Sequence, residues 1–145
     1  MPVLGHPLVE RERLENAERN VAVVGLRDSN DRILMIRTRR LPEWWQPLGG
    51  GMEPGEAPEG AALRELFEEA KLSLELHELE PVATESYDFG EGTVHFFQAH
   101  IDSERDSLKF NEQEILEHRW LAVNDAVRLD TFPATQAFLV RLSKA

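Results

Sequence analysis

Apolar and polar positions along the chain fall into short blocks of two kinds. Asn20 to Leu26, NVAVVGL, is a β-branched run that predicts a buried strand. Asp28-Ser29-Asn30-Asp31 is a turn cluster, and Arg32 to Arg37, RILMIR, predicts the returning strand of a hairpin. After a loop over 38–43, Trp44 to Leu48, WWQPL, predicts a short strand that ends at Gly49. Residues 73–87 alternate well enough for one or two strands, with Pro81 as punctuation, and Phe89 to Gly92 reads as a turn. Thr93 to Ile101, TVHFFQAHI, is the clearest central strand; 102–113 is a polar loop, and Ile115 to Leu121 a further strand. Helical spacing predicts three segments: 58–70, Val123 to Leu129, and Pro133 to Lys144 with Phe138, Leu139 and Leu142 as its apolar stripe. Pro58 suits a first helical position, where its missing N–H would be unpaired anyway.

This order, strands around one helix and helices again at the end, predicts an α/β fold with a mixed β-sheet covered on both faces. At 145 residues the chain suits a single domain, 1–145, in which 1–18 forms an N-terminal arm or short helix. The net charge is −11, from 16 Lys and Arg against 27 Asp and Glu, which argues against a nucleic-acid duplex or an anionic membrane as partner. A small phosphorylated substrate stays compatible, because a bound metal inverts the local charge. With no cysteine, there is no disulfide framework, thiolate metal site or cysteine nucleophile. No leader pattern and no apolar run near about 18 residues is present, so the expected compartment is the cytoplasm.

The chemistry concentrates in residues 49–72, GGGMEPGEAPEGAALRELFEEAKL. Leu63, Leu66, Phe67 and Ala70 fall on one helical stripe, with Glu65, Glu68 and Glu69 together on the opposite face. Like charges three or four residues apart cost about 0.2–0.5 kcal/mol per pair, a penalty that a divalent cation removes. Clustered carboxylates are ligands suited to Mg²⁺, and the glycines ahead of them leave backbone open to close approach.

Gly50, then Glu56, Arg64-Glu65-Leu66 and Glu68-Glu69 resemble the Nudix box, the signature of hydrolases of nucleoside diphosphates linked to another moiety. Lys71 stands where that family has glycine, at a helix end that glycine closes in the left-handed conformation. The resemblance implies the α/β/α sandwich of the Nudix fold and a small-molecule nucleotide substrate. It also implies Mg²⁺ as cofactor, with Mn²⁺ as the alternative, and a homodimer as a common assembly. It further implies Glu68 and Glu69 as metal ligands, with a carbonyl of Gly49 or Gly50, and Glu65 as further ligand or water-activating base. Arg64 would hold that carboxylate in place, paired with Glu56. A late acid serving as base or extra ligand would be Glu112 or Glu114, and Glu114 fits better.

Arg37, Arg39 and Arg40 are candidates for phosphate or ribose contact, and Trp44, Trp45, Tyr87 and Phe89 for stacking on a base. A tyrosine near the position of Tyr87 loosely accompanies dinucleoside polyphosphate substrates in the family. The expected activity is Mg²⁺-dependent cleavage of a pyrophosphate linkage in a nucleoside di- or triphosphate or a nucleoside diphosphate conjugate. Two other classes compete. A nucleotide-sensing module without turnover commonly loses box carboxylates, which this chain keeps. An isopentenyl-diphosphate isomerase-like enzyme relies on a cysteine, which this chain lacks.

Overall fold

A computed structural model describes residues 19–102 and 107–145, so the expected arm or helix over 1–18 lies outside the described residues. Among the described residues seven strands form one mixed sheet: β1 (Val21–Arg27), β2 (Ile33–Thr38), β3 (Trp45–Gln46), β4 (Leu48–Gly51), β5 (Glu80–Ser86), β6 (Thr93–His100) and β7 (Ile115–Leu121). Helix α1 (Pro58–Ala70) covers one face, and α2 (Val123–Ala126) with α3 (Pro133–Ser143) the other. No helix among the described residues is long and apolar enough to cross a membrane.

Strand β1 is the axis of the sheet. It runs parallel to β6 along its whole length, Val21 opposite Val94 through Arg27 opposite His100. On its other side β4 pairs antiparallel with Val21 to Val24, and β2 meets it at Arg27 opposite Ile33. The expected β1–β2 hairpin therefore closes only at its turn; beyond it β2 diverges to pair with β3 and β7. The divergence leaves room for the glycine strand β4 between them. The single strand expected over 44–48 is two, broken at Pro47, which has no N–H for a ladder.

Residues alternate between two cores, as a sheet buried on both faces requires. Ala22, Val24, Leu34, Ile36, Phe97 and Ala99 face α1, whereas Ile33, Met35, Val94 and Phe96 face α3. Phe138 stacks on Phe96 with ring centroids 4.5 Å apart. Gly25 makes this possible, since a Cβ there would lie 2.9 Å from the Phe138 ring. The stripe expected on α3, Phe138, Leu139 and Leu142, is buried. The alternating segment after α1 opens with a 3₁₀ turn, Leu76–Glu78, before β5, and Pro81 sits at an irregularity of that edge strand, where a missing donor costs least.

Helix α1 has the expected bounds but a rotated inner face. Ala62, Leu66, Glu69 and Ala70 are buried, while Phe67 is half exposed. Alanines at 61 and 62 let the helix approach the sheet closely, and this turns Glu69 inward. Its C-terminus closes as a glycine would close it: Lys71 takes φ 55° and ψ 28°. Its N–H donates to the Phe67 carbonyl at 3.0 Å and the Leu72 N–H to the Leu66 carbonyl at 3.4 Å. A lysine in this left-handed conformation costs about 1–2 kcal/mol, and its ammonium over the Phe67 ring, at 4.9 Å, returns part of that. Lys71→Gly is therefore expected to raise the unfolding free energy by about 1 kcal/mol in urea denaturation; a fall would show that the contact with Phe67 outweighs the backbone strain.

Candidate active site

Arg64 organises the acidic end of α1. Its Nε and Nη2 donate to the two oxygens of Glu56, each at 2.9 Å, a two-pronged pair. Nη1 donates to Glu65 at 3.0 Å and to Glu68 at 3.2 Å, and Nη2 also reaches the Gly51 carbonyl at 2.9 Å. One guanidinium thus joins three carboxylates and the glycine strand. The Arg64 proton is held more tightly than usual, first by the bonds to Glu56. The same bonds hold the Glu56 carboxyl down at about 2. Glu56 is itself fixed by the Glu53 N–H at 2.9 Å.

Glu69 lies beneath this group, only 6% exposed, and accepts the Gly49 N–H at 2.8 Å. Burial, then the charge of Glu65, pushes its carboxyl well above the usual range; the Gly49 N–H only partly offsets this. The Glu65 carboxyl is also raised, first by burial and then by the charge of Glu68, against the pull of Arg64. Glu65 lies flat on the glycine strand: a Cβ on Gly50 would come 2.5 Å from its carboxylate. Any larger residue at Gly50 would displace the group.

The late acid arrives from across the fold. The Asn111 N–H donates to the Glu69 carbonyl and the Lys109 N–H to the Ala70 carbonyl, both at 2.9 Å, which pins this segment to the end of α1. The Glu114 carbonyl accepts the Arg39 N–H at 2.8 Å, and Arg39 Nε donates to the Glu112 carbonyl at 2.9 Å. Glu114 and Glu69 thereby line one cavity of about 560 Å³. Its walls continue through Gly49, Gly50 and Arg40 to Tyr87, Phe89 and Phe132. Glu112 faces a neighbouring surface groove instead.

Of the residues expected at the site, Gly49, Glu69, Arg39, Glu114 and Tyr87 line this cavity, and Arg64, Glu65 and Glu68 form the cluster on α1 beside it. Arg37 and Trp45, expected among the substrate-binding residues, do not line it. Arg37 Nε donates to Glu117 at 3.0 Å and its Nη1 to the Pro42 carbonyl at 2.8 Å. Trp45 is buried, with the guanidinium groups of Arg37 and Arg119 over its ring. Both serve the β2–β3–β7 packing.

Asp88 and Phe132 line the cavity and were not among the sequence candidates. Asp88 accepts the Ala134 N–H at 3.1 Å, at the start of α3, and burial raises its carboxyl. Phe132 packs edge-on to Phe89, with centroids 4.9 Å apart, and stacks on Trp44 at 5.1 Å. An acid between two aromatics (Tyr87-Asp88-Phe89) is the only local signal, and a turn produces the same pattern.

The NUDIX domain family profile matches residues 17–142. Diphosphoinositol polyphosphate phosphohydrolase 3-alpha from Mus musculus is 30% identical over 105 residues, 70% of this chain and 62% of that protein. The match thus spans about three-fifths of that relative's length. Among solved structures, an E. coli dihydroneopterin triphosphate pyrophosphohydrolase superposes with a TM-score of 0.74 at 21% identity, covering 90% of this chain and all (100%) of that one. A C. elegans Ap4A hydrolase binary complex gives 0.72 at 21% identity, covering 87% and 96%. At these identities the two structures bear on the fold alone.

The pKa directions give two stability effects of opposite sign. Glu56, held at about 2, contributes stability that is present above its ordinary 4.5 and lost as pH falls through about 2. Glu56→Gln should therefore lower Tm at pH 7, with the gap to wild type closing as pH approaches 2. Glu69, held above its ordinary 4.5, contributes stability below that value which is lost as pH rises through its raised pKa. In the metal-free protein Glu69→Gln should raise Tm at pH 8 while leaving it nearly unchanged at pH 4. Thermal melts across pH check both; a Glu69→Gln variant less stable at pH 8 contradicts the account.

Proposed function

The chain belongs to the NUDIX domain family, and on that premise we propose that it is a divalent-cation-dependent pyrophosphohydrolase of small phosphorylated substrates. The observation that carries this is the Arg64 cluster set against buried Glu69, at the side of a cavity that also receives Glu114.

The acidic groups fit Mg²⁺ or Mn²⁺ by their chemistry. Glu65, Glu68, Glu69 and the backbone carbonyls of the glycine strand are hard oxygen donors. Glu69 is a buried carboxyl with one N–H donor and other carboxylates around it, a deficit of positive charge that a cation would fill. Among the described residues no three acidic or imidazole groups already converge on one cation position. Glu68, whose side chain is 52% exposed, is the ligand free to turn from Arg64 and complete the set. Waters and substrate oxygens supply the rest, as Mg²⁺ requires.

When bound, the cation supplies charge neutralisation at the phosphate oxygens. The chain's own groups do the remainder. Glu114 takes a proton from the attacking water: it lines the cavity, whereas the Glu65 oxygen is committed to Arg64. The water oxygen bonds to phosphorus, the bridging P–O bond breaks, and the leaving phosphate departs with the bond's electron pair. Arg39 and Arg40, at the cavity wall, meet the charge on that phosphate. Arg64 is a positioning residue, which fixes Glu65 and Glu68 relative to Gly51.

Named relatives suggest a panel: nucleoside di- and triphosphates, a diadenosine tetraphosphate, dihydroneopterin triphosphate and a diphosphoinositol polyphosphate. With Mg²⁺ present, at least one should be cleaved at an anhydride bond, and EDTA should abolish turnover. Glu69→Gln and Glu114→Gln should each lower kcat at least 100-fold while retaining the fold. Full activity in Glu114→Gln would remove it as the base. No turnover with tight nucleotide binding would favour the sensing module.

A further inference from the structure

The turn that carries Glu114 is held from two sides. On one, Asn111 ties it to the acidic helix. The Asn111 N–H donates to the Glu69 carbonyl, and the Asn111 carbonyl accepts the Glu114 and Ile115 N–H groups at 3.1 and 2.8 Å. Asn111 Oδ1 also accepts the Gln113 N–H at 3.1 Å. On the other side stands Arg39. Its N–H donates to the Glu114 carbonyl at 2.8 Å, and its Nε to the Glu112 carbonyl at 2.9 Å. One arginine thus grips the main chain at 112 and at 114. The strand register accounts for its aim. Arg37 lies opposite Glu117 and Thr38 opposite Ile115, so Leu116 is an extra residue on β7. Such a bulge disrupts the ladder locally and re-aims the side chains next to it.

Arg39 also lines the cavity, as Glu114 does. Among the described residues the Glu112 carbonyl is the acceptor that its side chain meets. A guanidinium carries its N–H donors in one rigid plane, so those on Nη1 and Nη2 are left for a substrate phosphate. Planarity links the two ends. A phosphate held across the Nη groups fixes the direction of the Nε–H, and with it the Glu112 carbonyl. The Glu112 side chain takes no part, because it faces the neighbouring groove. The charge of Glu114 reaches both Glu65 and Glu69. A small displacement of the turn therefore changes where this carboxylate stands relative to the cation-binding group, and catalysis is sensitive to such shifts.

Resting on the reading of Glu114 as the base, we propose that Arg39 is a positioning residue for that base. A phosphate oxygen on its Nη groups fixes the guanidinium, and its Nε, through the Glu112 carbonyl, holds Glu114 against the attacking water. Meeting the phosphate needs only a positive charge. Holding the turn at the same time needs the fork. Arg39→Lys separates the two roles, since lysine keeps the charge but cannot serve carbonyl and phosphate from separate nitrogens in one plane.

A double-mutant cycle tests this, run with Mg²⁺ on whichever substrate of the panel is cleaved fastest. Arg39→Lys should lower kcat about tenfold and leave KM within about threefold of wild type. In the Glu114→Gln background the same change should have no further effect, because no base is left to position. Mn²⁺ affinity and the far-ultraviolet circular dichroism of Arg39→Lys should match wild type, which a general disturbance of the site would not allow. An equal loss of kcat in both backgrounds, or a change in KM alone, would overturn the proposal, since Arg39 would then act on the phosphate only. If Arg39→Lys fails to fold, Arg39→Met, which removes every side-chain donor, takes its place in the cycle, and its coupling to Glu114→Gln decides. Failure of the underlying reading looks different. Glu114→Gln at the wild-type rate, or no turnover on the panel, overturns that reading and this one with it; a slow Glu114→Gln with additive effects overturns this one alone.

Discussion

Carboxylates packed within one turn of a helix repel, and everything at this site follows from how that repulsion is managed. Arg64 is the means. It lies among Glu56, Glu65 and Glu68 and reaches the Gly51 carbonyl as well, so the helix and the glycine strand share one guanidinium. A lysine has three donors at one point and no planar fork, so it could not hold this geometry. Glu69 is left outside the arrangement. Its carboxyl is buried, and among the described residues the Gly49 N–H is the hydrogen-bond donor that meets it. The molecule carries an unfavourable feature at one position, of the kind that active sites retain at the expense of stability.

The sheet topology serves this arrangement. Because β1 and β2 part after one residue pair, the glycine strand enters beside β1 and brings Gly49 and Gly50 under α1. Gly50 has no side chain to keep Glu65 away. On the far side of β1, the parallel β6 and the edge strand β5 carry the chain to Tyr87, Asp88 and Phe89, the other wall of the cavity. The two walls are thus fixed by the same central strand, and the distance between them is set by a rigid element.

Much of this was legible in the sequence, and the limits have physical causes. Strands β1, β2 and β6 and helices α1 and α3 follow from local pattern, since each carries a buried stripe or run; β7 has the expected bounds with Ile115 as its one buried residue. The Arg64–Glu56 and Arg64–Glu65 contacts were expected from the resemblance to the Nudix box rather than from local geometry, and the structure shows both. The phase of α1 was not. Phe67 is the largest apolar residue in the segment, yet it faces out, because two alanines give the closer approach to the sheet. A buried Glu69 contradicts the ordinary preference of carboxylates for water. Arg37 and Asp88 depend on partners far along the chain, Glu117 at 80 residues and Ala134 at 46. No local pattern encodes those pairings, and for that reason an arginine expected at phosphate pairs with Glu117 away from the cavity, while an acid hidden in a turn lines it.

The central claim is that Arg64, by its fork, holds the carboxylates where a divalent cation can use them. Titrating Mn²⁺ into wild type and into Arg64→Lys, with bound and free ion followed by electron paramagnetic resonance, tests this most directly. Lysine preserves the charge and removes the fork. The account predicts at least about tenfold weaker Mn²⁺ binding in Arg64→Lys, with far-ultraviolet circular dichroism unchanged. Equal affinity in the two proteins would contradict it, because the carboxylates would then hold their places without the guanidinium.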